Sequence, residues 1–101
     1  MAGVGKLLKQ AQKVQKRIEE TQVKLAQTTI EVSHGGGAVK VLVNGHGEFT
    51  GLLLDAGFLK EEKETVERTI LAALQEAVTK AKVLHQSSMS AATEGFALAG
   101  M

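Results

Sequence analysis

Lys6, Lys9, Lys13 and Lys16 follow one another at steps of three, four and three residues. On a helix this spacing sets four ammonium groups along one ridge, about 5 Å apart along the axis. Such a ridge offers non-directional contact to a row of anions, and the phosphates of duplex DNA repeat at a spacing within a factor of two of it. Arg17 and Lys24 extend the set. Residues 1–18 carry +5 and no acid while the whole chain carries +1, which leaves −4 for the remainder. Segregated charge of this kind marks an arm facing a polyanion. The alternative is a solvated face that only keeps an assembly soluble. Lysine suits point contact with phosphate, and the single arginine of the stripe gives little scope for bidentate base reading, so weak sequence preference is expected. Three phenylalanines with no Trp or Tyr provide no platform for stacking single-stranded bases.

The other chemistry-bearing residues point to nothing catalytic. With no cysteine there is neither a disulfide nor a thiolate metal site. His34, His46 and His85 stand apart and lack a ligand motif such as H-E-x-x-H, so no metal is expected. Lys80 and Lys82 suit the negative end of a helix, with added anion contacts as the other reading. No Ser/His/Asp or Cys/His arrangement is present. The chain reads as a non-enzyme without cofactor or small-molecule substrate. No apolar run approaches the ~20 residues needed to span a bilayer, and the N-terminus lacks a signal-peptide core. A soluble, cytoplasmic protein with no membrane contact is expected.

One stretch, His34–Glu48 or "HGGGAVKVLVNGHGE", holds five of the eleven glycines. A Walker-type loop needs G-x-x-x-x-G-K-[ST] leading into a helix, but Lys40 lies inside a β-like run. An HGGG oxyanion element needs a G-x-S-x-G elbow, which is absent, as is a G-x-G-x-x-G fingerprint. Hairpin corners, where φ must be positive, account for these glycines.

The pattern around these residues predicts a single α+β domain over residues 1–101. A helix is expected over about 4–28, with Leu7, Ala11, Val14, Ile18, Thr21 and Leu25 at alternating steps of four and three, a coiled-coil-like seam. The bases are expected on the side opposite that seam. Three short strands over about 29–55 form an antiparallel meander: Ile30 and Val32 share a face, as do Val39, Val41 and Val43, and Gly51 marks a bulge or close-packing point. Asp55 is placed to cap the turn that follows. A second helix over about 60–90 begins among Glu61, Glu62, Glu64 and Glu67, which suit its positive end. Its apolar arc includes Val66, Ile70, Leu71, Ala73, Leu74, Ala77, Val78, Ala81 and Leu84. A mobile tail over about 91–101 completes the expectation.

A helix running from 60 to 90 is on the order of 45 Å long, whereas seven-residue strands reach only about 23 Å. The helices must overhang the sheet, and an overhanging apolar seam calls for a second chain. The expected homodimer interface draws on Leu7, Ala11, Val14, Ile18 and Leu25 of the first helix and Val66, Ile70, Ala73, Leu74, Ala77 and Ala81 of the second. A helical hairpin within one chain is awkward on this reading, because the sheet separates the two helices.

The "LLKQAQKVQKRIEE" helix (Leu7–Glu20), the G-x-V-K-V-x-x-N-G strand and turn (Gly37–Gly45) and "LKEEKETVERTILAALQEA" (Leu59–Ala77) resemble, nearly end to end, the YbaB/EbfC family of bacterial nucleoid-associated proteins. The resemblance implies a helix–three-strand–helix subunit, an intertwined tweezer-like homodimer, and binding of double-stranded DNA with loose sequence preference. It also implies a place in the nucleoid and an influence on gene expression. The family's common D-P-x-L-L is "DAGFL" here, and Glu48, Thr50 and Gly51 stand where some members carry bases. Both departures move the expected DNA contacts to Lys6, Lys9, Lys13, Lys16, Arg17 and Lys24. The other function considered is a protein-interaction adaptor, its helical seam or tail binding a replication or recombination protein.

Overall fold

A computed structural model describes the backbone of residues 2–99 and the side chains of residues 3–94. Helix α1 spans Ala2–Gln27. Its two glycines, Gly3 and Gly5, lie near its start, and no proline interrupts it. It stops where side chain and turn take over its last carbonyls. The Thr28 hydroxyl donates to Lys24 O at 2.7 Å, and the Thr28 and Gly45 amides donate to Leu25 O at 3.2 and 2.8 Å.

Strands β1 (Thr29–His34), β2 (Val39–Asn44) and β3 (Phe49–Leu54) form an antiparallel sheet in the order β1-β2-β3. The glycines of "HGGG" are a hairpin corner. Gly35, Gly36 and Gly37 all take positive φ, which L side chains rarely adopt. Residue pairs Val32–Val41–Leu52 and His34–Val39–Leu54 align across the three strands. Between Leu42 and Val43 the register of β2 on β3 shifts by one, with Gly51 opposite Leu42 and Phe49 opposite Val43. Thr50 is the extra residue of this bulge. It returns Phe49 to the face that holds Val41 and Val43. Leu42 leans over Gly51, where a Cβ would lie 2.9 Å from Leu42 Cδ1. Gly51 is thus a point of close packing, as its place inside a strand suggested, and a larger residue would make the Leu42 side chain turn aside.

Asp55 accepts the Phe58 amide on its carboxylate at 3.2 Å and starts a single 3-10 turn, Phe58–Lys60. Helix α2 then runs from Lys63 to Ala99. It continues past residue 90, where a tail was expected. Alanine and serine dominate Ser87–Thr93, and no glycine or proline intervenes before Gly95. Residues 100 and 101 of the expected tail lie outside the described residues.

Helix α2 crosses β1 and β2. Ala73, Ala77 and Ala81, one per helical turn, are fully buried against Val32, Val39, Val41 and Val43, with Phe58 closing one end. Small residues let the helix backbone approach the sheet closely, while the valines fill the gap. Val66, Ile70 and Leu74 border this core, half-buried.

At its edge, His34 Nε2 lies 3.3 Å from Glu76 Oε1, and Lys80 Nζ lies 3.4 Å from Glu76 Oε2. Burial raises the Glu76 pKa, but the His34 hydrogen bond and the Lys80 charge outweigh it, so the carboxyl lies below its ordinary 4.5. A lowered folded value stabilises the fold above pH 4.5 and ceases to do so as pH falls through that folded value. Urea midpoints of the native chain and Glu76→Gln should therefore differ more at pH 6 than at pH 3. An equal difference at both would remove the ion pair from the account.

Candidate nucleic-acid interface

Helices α1 and α2 pack along one another in antiparallel fashion within the chain. Leu25 and Thr28 lie by Leu84, and Arg17 and Thr21 lie by Ser88 and Ala92. The expected obstacle to such a hairpin, the intervening sheet, is bypassed because α2 is 37 residues long and extends well beyond the strands. The result measures 71 × 22 × 16 Å with a radius of gyration of 19.8 Å. A compact chain of this length has a radius near ~13 Å. The sheet sits toward one end of a rod, and the free part of α1 toward the other.

The β2–β3 turn fixes how α1 leaves the sheet. Asn44 is buried, and its side-chain carbonyl accepts the amides of His46 and Glu48 at 2.9 and 3.0 Å, while its amide donates to Glu48 Oε1 at 2.9 Å. Gly45 presses on the end of α1, where a Cβ would lie 2.6 Å from Leu25 Cδ2 and 2.8 Å from Leu25 O. His46 Nε2 donates to Gln22 O at 2.8 Å. Asn-Gly was legible as a hairpin turn; its second duty, clamping a helix met twenty residues earlier, was not.

The seam of α1 is divided. Val14 and Leu25 are buried in the chain's own packing, Ile18 is half-buried, and Ala11 is exposed. Val4, Leu7 and Leu8 are 57 to 58% exposed on the overhanging turns. Among the residues expected at a dimer interface, Val14, Leu25, Ala73, Ala77 and Ala81 are thus covered by their own chain and retain almost no free surface.

Lys6, Lys9, Lys13, Lys16, Arg17 and Lys24 are all exposed. Among the described residues none of them forms an ion pair; the pairs present join Glu76 to His34 and Lys80. Unpaired surface bases remain available to an external anion. At ~100° per residue the six fill a band about 100° wide, with Lys9 and Lys16 opposite the seam and Arg17 nearest to it. Arg17 and Lys24, at the near edge, line the groove between α1 and α2 with Thr21, Ser88 and Ala92. Glu20 lies in the same groove and dilutes its charge; its place among the lysines follows from four-residue steps to Lys16 and Lys24. Lys80 is engaged by Glu76 and belongs to the sheet end. The acids Glu61, Glu62 and Glu64 also fall there, at the start of α2. Lys60, Lys63 and Arg68 stand among these acids, so the sheet end carries both signs while residues 1–18 of the arm carry only positive charge.

A helix, a three-stranded meander and a long second helix, with an unpaired basic arm, match what the sequence motifs implied. Residues 1–96 match the sequence profile of the YbaB/EbfC DNA-binding family. The chain belongs to that family. Its YbaB/EbfC relatives include a nucleoid-associated protein of Hahella chejuensis, 36% identical over 95 residues that cover 94% of this chain and 88% of the relative. Another, from Rickettsia bellii, is 39% identical and covers 97% of this chain and 92% of the relative. A third, from Caldanaerobacter subterraneus subsp. tengcongensis, is 34% identical over 97% and 89%. An uncharacterized protein from Helicobacter pylori, solved by crystallography, superimposes with a TM-score of 0.71 at 25% identity, covering 86% of this chain and 89% of that one. The α+β fold of this YbaB/EbfC chain therefore recurs in a solved structure.

Proposed function

We propose that this chain is a homodimeric, nucleoid-associated protein that holds double-stranded DNA through its phosphates, with weak sequence preference. The observation carrying this reading is the unpaired basic flank of α1 on an arm that projects from the sheet. Lys6, Lys9, Lys13 and Lys16 supply point charges, and Arg17 and Lys24 supply a second rank by the α1–α2 groove. Four lysines in a row read backbone rather than bases. Membership of a DNA-binding family and the names of the relatives support the partner and a location in the nucleoid, where such binding bears on gene expression. No helix among the described residues is long and apolar enough to cross a membrane.

A second copy has a face to cover. Because α2 lies over β1 and β2, the same face of β3 is left bare: Phe49 is 48% and Leu52 50% exposed. Leu71, Leu74 and Val78, at helical spacing on α2, continue it, and Phe49 borders a shallow depression with Leu74 and Val78. An apolar strip of this kind on a small domain marks an interface, and self-association about a two-fold buries it with one new contact. Two arms on one body then form the pincer. Sedimentation at micromolar concentration should give twice 10.7 kDa. Leu52→Glu should give the single mass, because a charge there is left buried and unpaired. A monomeric native chain would overturn the dimer.

The DNA reading is tested by titrating a mixed-sequence duplex at several salt concentrations. If a dimer engages about six phosphates, log K falls with log salt at a slope of about −5. A flat salt response, or no binding at low salt, would dismiss the electrostatic mechanism.

A further inference from the structure

His46 and His85 are far apart in sequence and face each other in the fold. Their ring centres are 5.7 Å apart with planes inclined by 58°. His46 rides on the β2–β3 turn and His85 on α2, and both line a cleft with Val78, Lys82 and Gln86.

His46 is held at both its backbone and its ring. It is exposed, yet its backbone amide is tied to Asn44 Oδ1 and its Nε2 donates to the carbonyl of Gln22 at 2.8 Å. With Nε2 engaged by the carbonyl, Nδ1 is the ring nitrogen left to meet a ligand. A backbone carbonyl on the far nitrogen is the arrangement that orients metal-bound imidazoles. His85 is half-buried, packed against the His46 ring, and has no side-chain hydrogen bond among the described residues. Two imidazoles sharing one zinc ion at about 2.0–2.1 Å, with angles somewhat above tetrahedral, have ring centres roughly 5–6 Å apart.

We propose that His46 and His85 form a two-imidazole site for a divalent transition-metal ion of the zinc type. Water completes the coordination, since no group of three or more His, Cys, Asp or Glu residues is placed to hold a metal among the described residues. Lys82 beside the cleft opposes the ion's charge and keeps the affinity moderate. Bound there, the ion joins the turn to α2, and through Gln22 it steadies the end of α1. The site is thus a clasp at the base of the arm, away from the lysine ridge.

Calorimetric titration of zinc chloride into the purified, untagged full chain at pH 7.5 tests this. One ion per chain should bind in the micromolar range. His85→Ala and His46→Ala should each weaken binding at least about tenfold, and acid should release the ion, because ligands must be deprotonated. His34→Ala, at the far side of the sheet, should bind as the native chain does. Circular dichroism of each variant reports whether it is folded, and His85→Asn provides a second, milder change at the half-buried position. The proposal is overturned if the native chain takes up no zinc at millimolar concentration. It is equally overturned if folded His85→Ala and His85→Asn bind zinc like the native chain, or if His34→Ala loses binding as they do.

Discussion

Changing Lys6, Lys9, Lys13 and Lys16 together to glutamate should abolish duplex binding at about 0.1 M salt, a loss of at least a hundredfold, and should flatten the salt slope toward zero. Each substitution removes one positive charge and adds one negative, so the ridge changes from attracting phosphate to repelling it. The four side chains are exposed and form no ion pair among the described residues, so the fold should survive the change. Circular dichroism and sedimentation should be those of the native chain, which separates loss of binding from loss of structure. Arg17→Glu and Lys24→Glu should cost less, because Glu20 already weakens the groove they line. A quadruple variant that bound DNA with native affinity would leave the lysine ridge without its role. Binding would then have to be sought on the sheet, where Lys40 is the exposed base of the central strand.

Gly45→Ala should destabilise the protein by about 2–3 kcal/mol, the range of an overpacked contact that cannot relax freely. One methyl group is enough because of what it meets. Its carbon would lie 2.6 Å from Leu25 Cδ2, 2.9 Å from Leu25 Cβ and 2.8 Å from Leu25 O. The side chain of Leu25 can turn, but it is buried. The carbonyl cannot withdraw without losing the Gly45 amide it accepts at 2.8 Å. Relief therefore means lifting the turn off α1, and with it the His46–Gln22 contact. For a domain of this size the thermal midpoint should fall by about 8–24 °C. Gly36→Ala is a useful contrast: nothing lies within 4 Å of its Cβ, and its φ of +68° makes strain the main penalty. That variant should lose about 1 kcal/mol. Equal melting of Gly45→Ala and the native chain would mean that the turn is not the fastener of the arm.

On the proposed function, these two variants divide the molecule into a binding ridge and a joint that aims it. Electrostatic contact needs only that the lysines be presented on a rigid support. The joint at Leu25 and Gly45 supplies the support, and the antiparallel run of α1 along α2 supplies the length.

The sequence by itself determined the order of elements, because each announces itself over a short window. Alternating valines in Val39–Val43 can bury one face only as a strand, three consecutive glycines can close a hairpin, and steps of three and four from Leu7 to Leu25 define one stripe of a helix. It determined the lysine ridge as well, since helical spacing is local, and Gly51 was legible as a point of close approach. Tertiary structure decided which apolar residues face a partner. Ala73, Ala77 and Ala81 and Phe49 and Leu52 are all apolar, and periodicity cannot tell the first group, spent on the chain's own sheet, from the second, left bare. It also decided that α1 lies along α2, that Asn44-Gly45 clamps Leu25, and that His46 meets His85. Each of these joins residues about twenty or more positions apart, and whether such a pair meets depends on how far one helix overshoots a sheet, a length no single stretch of sequence records.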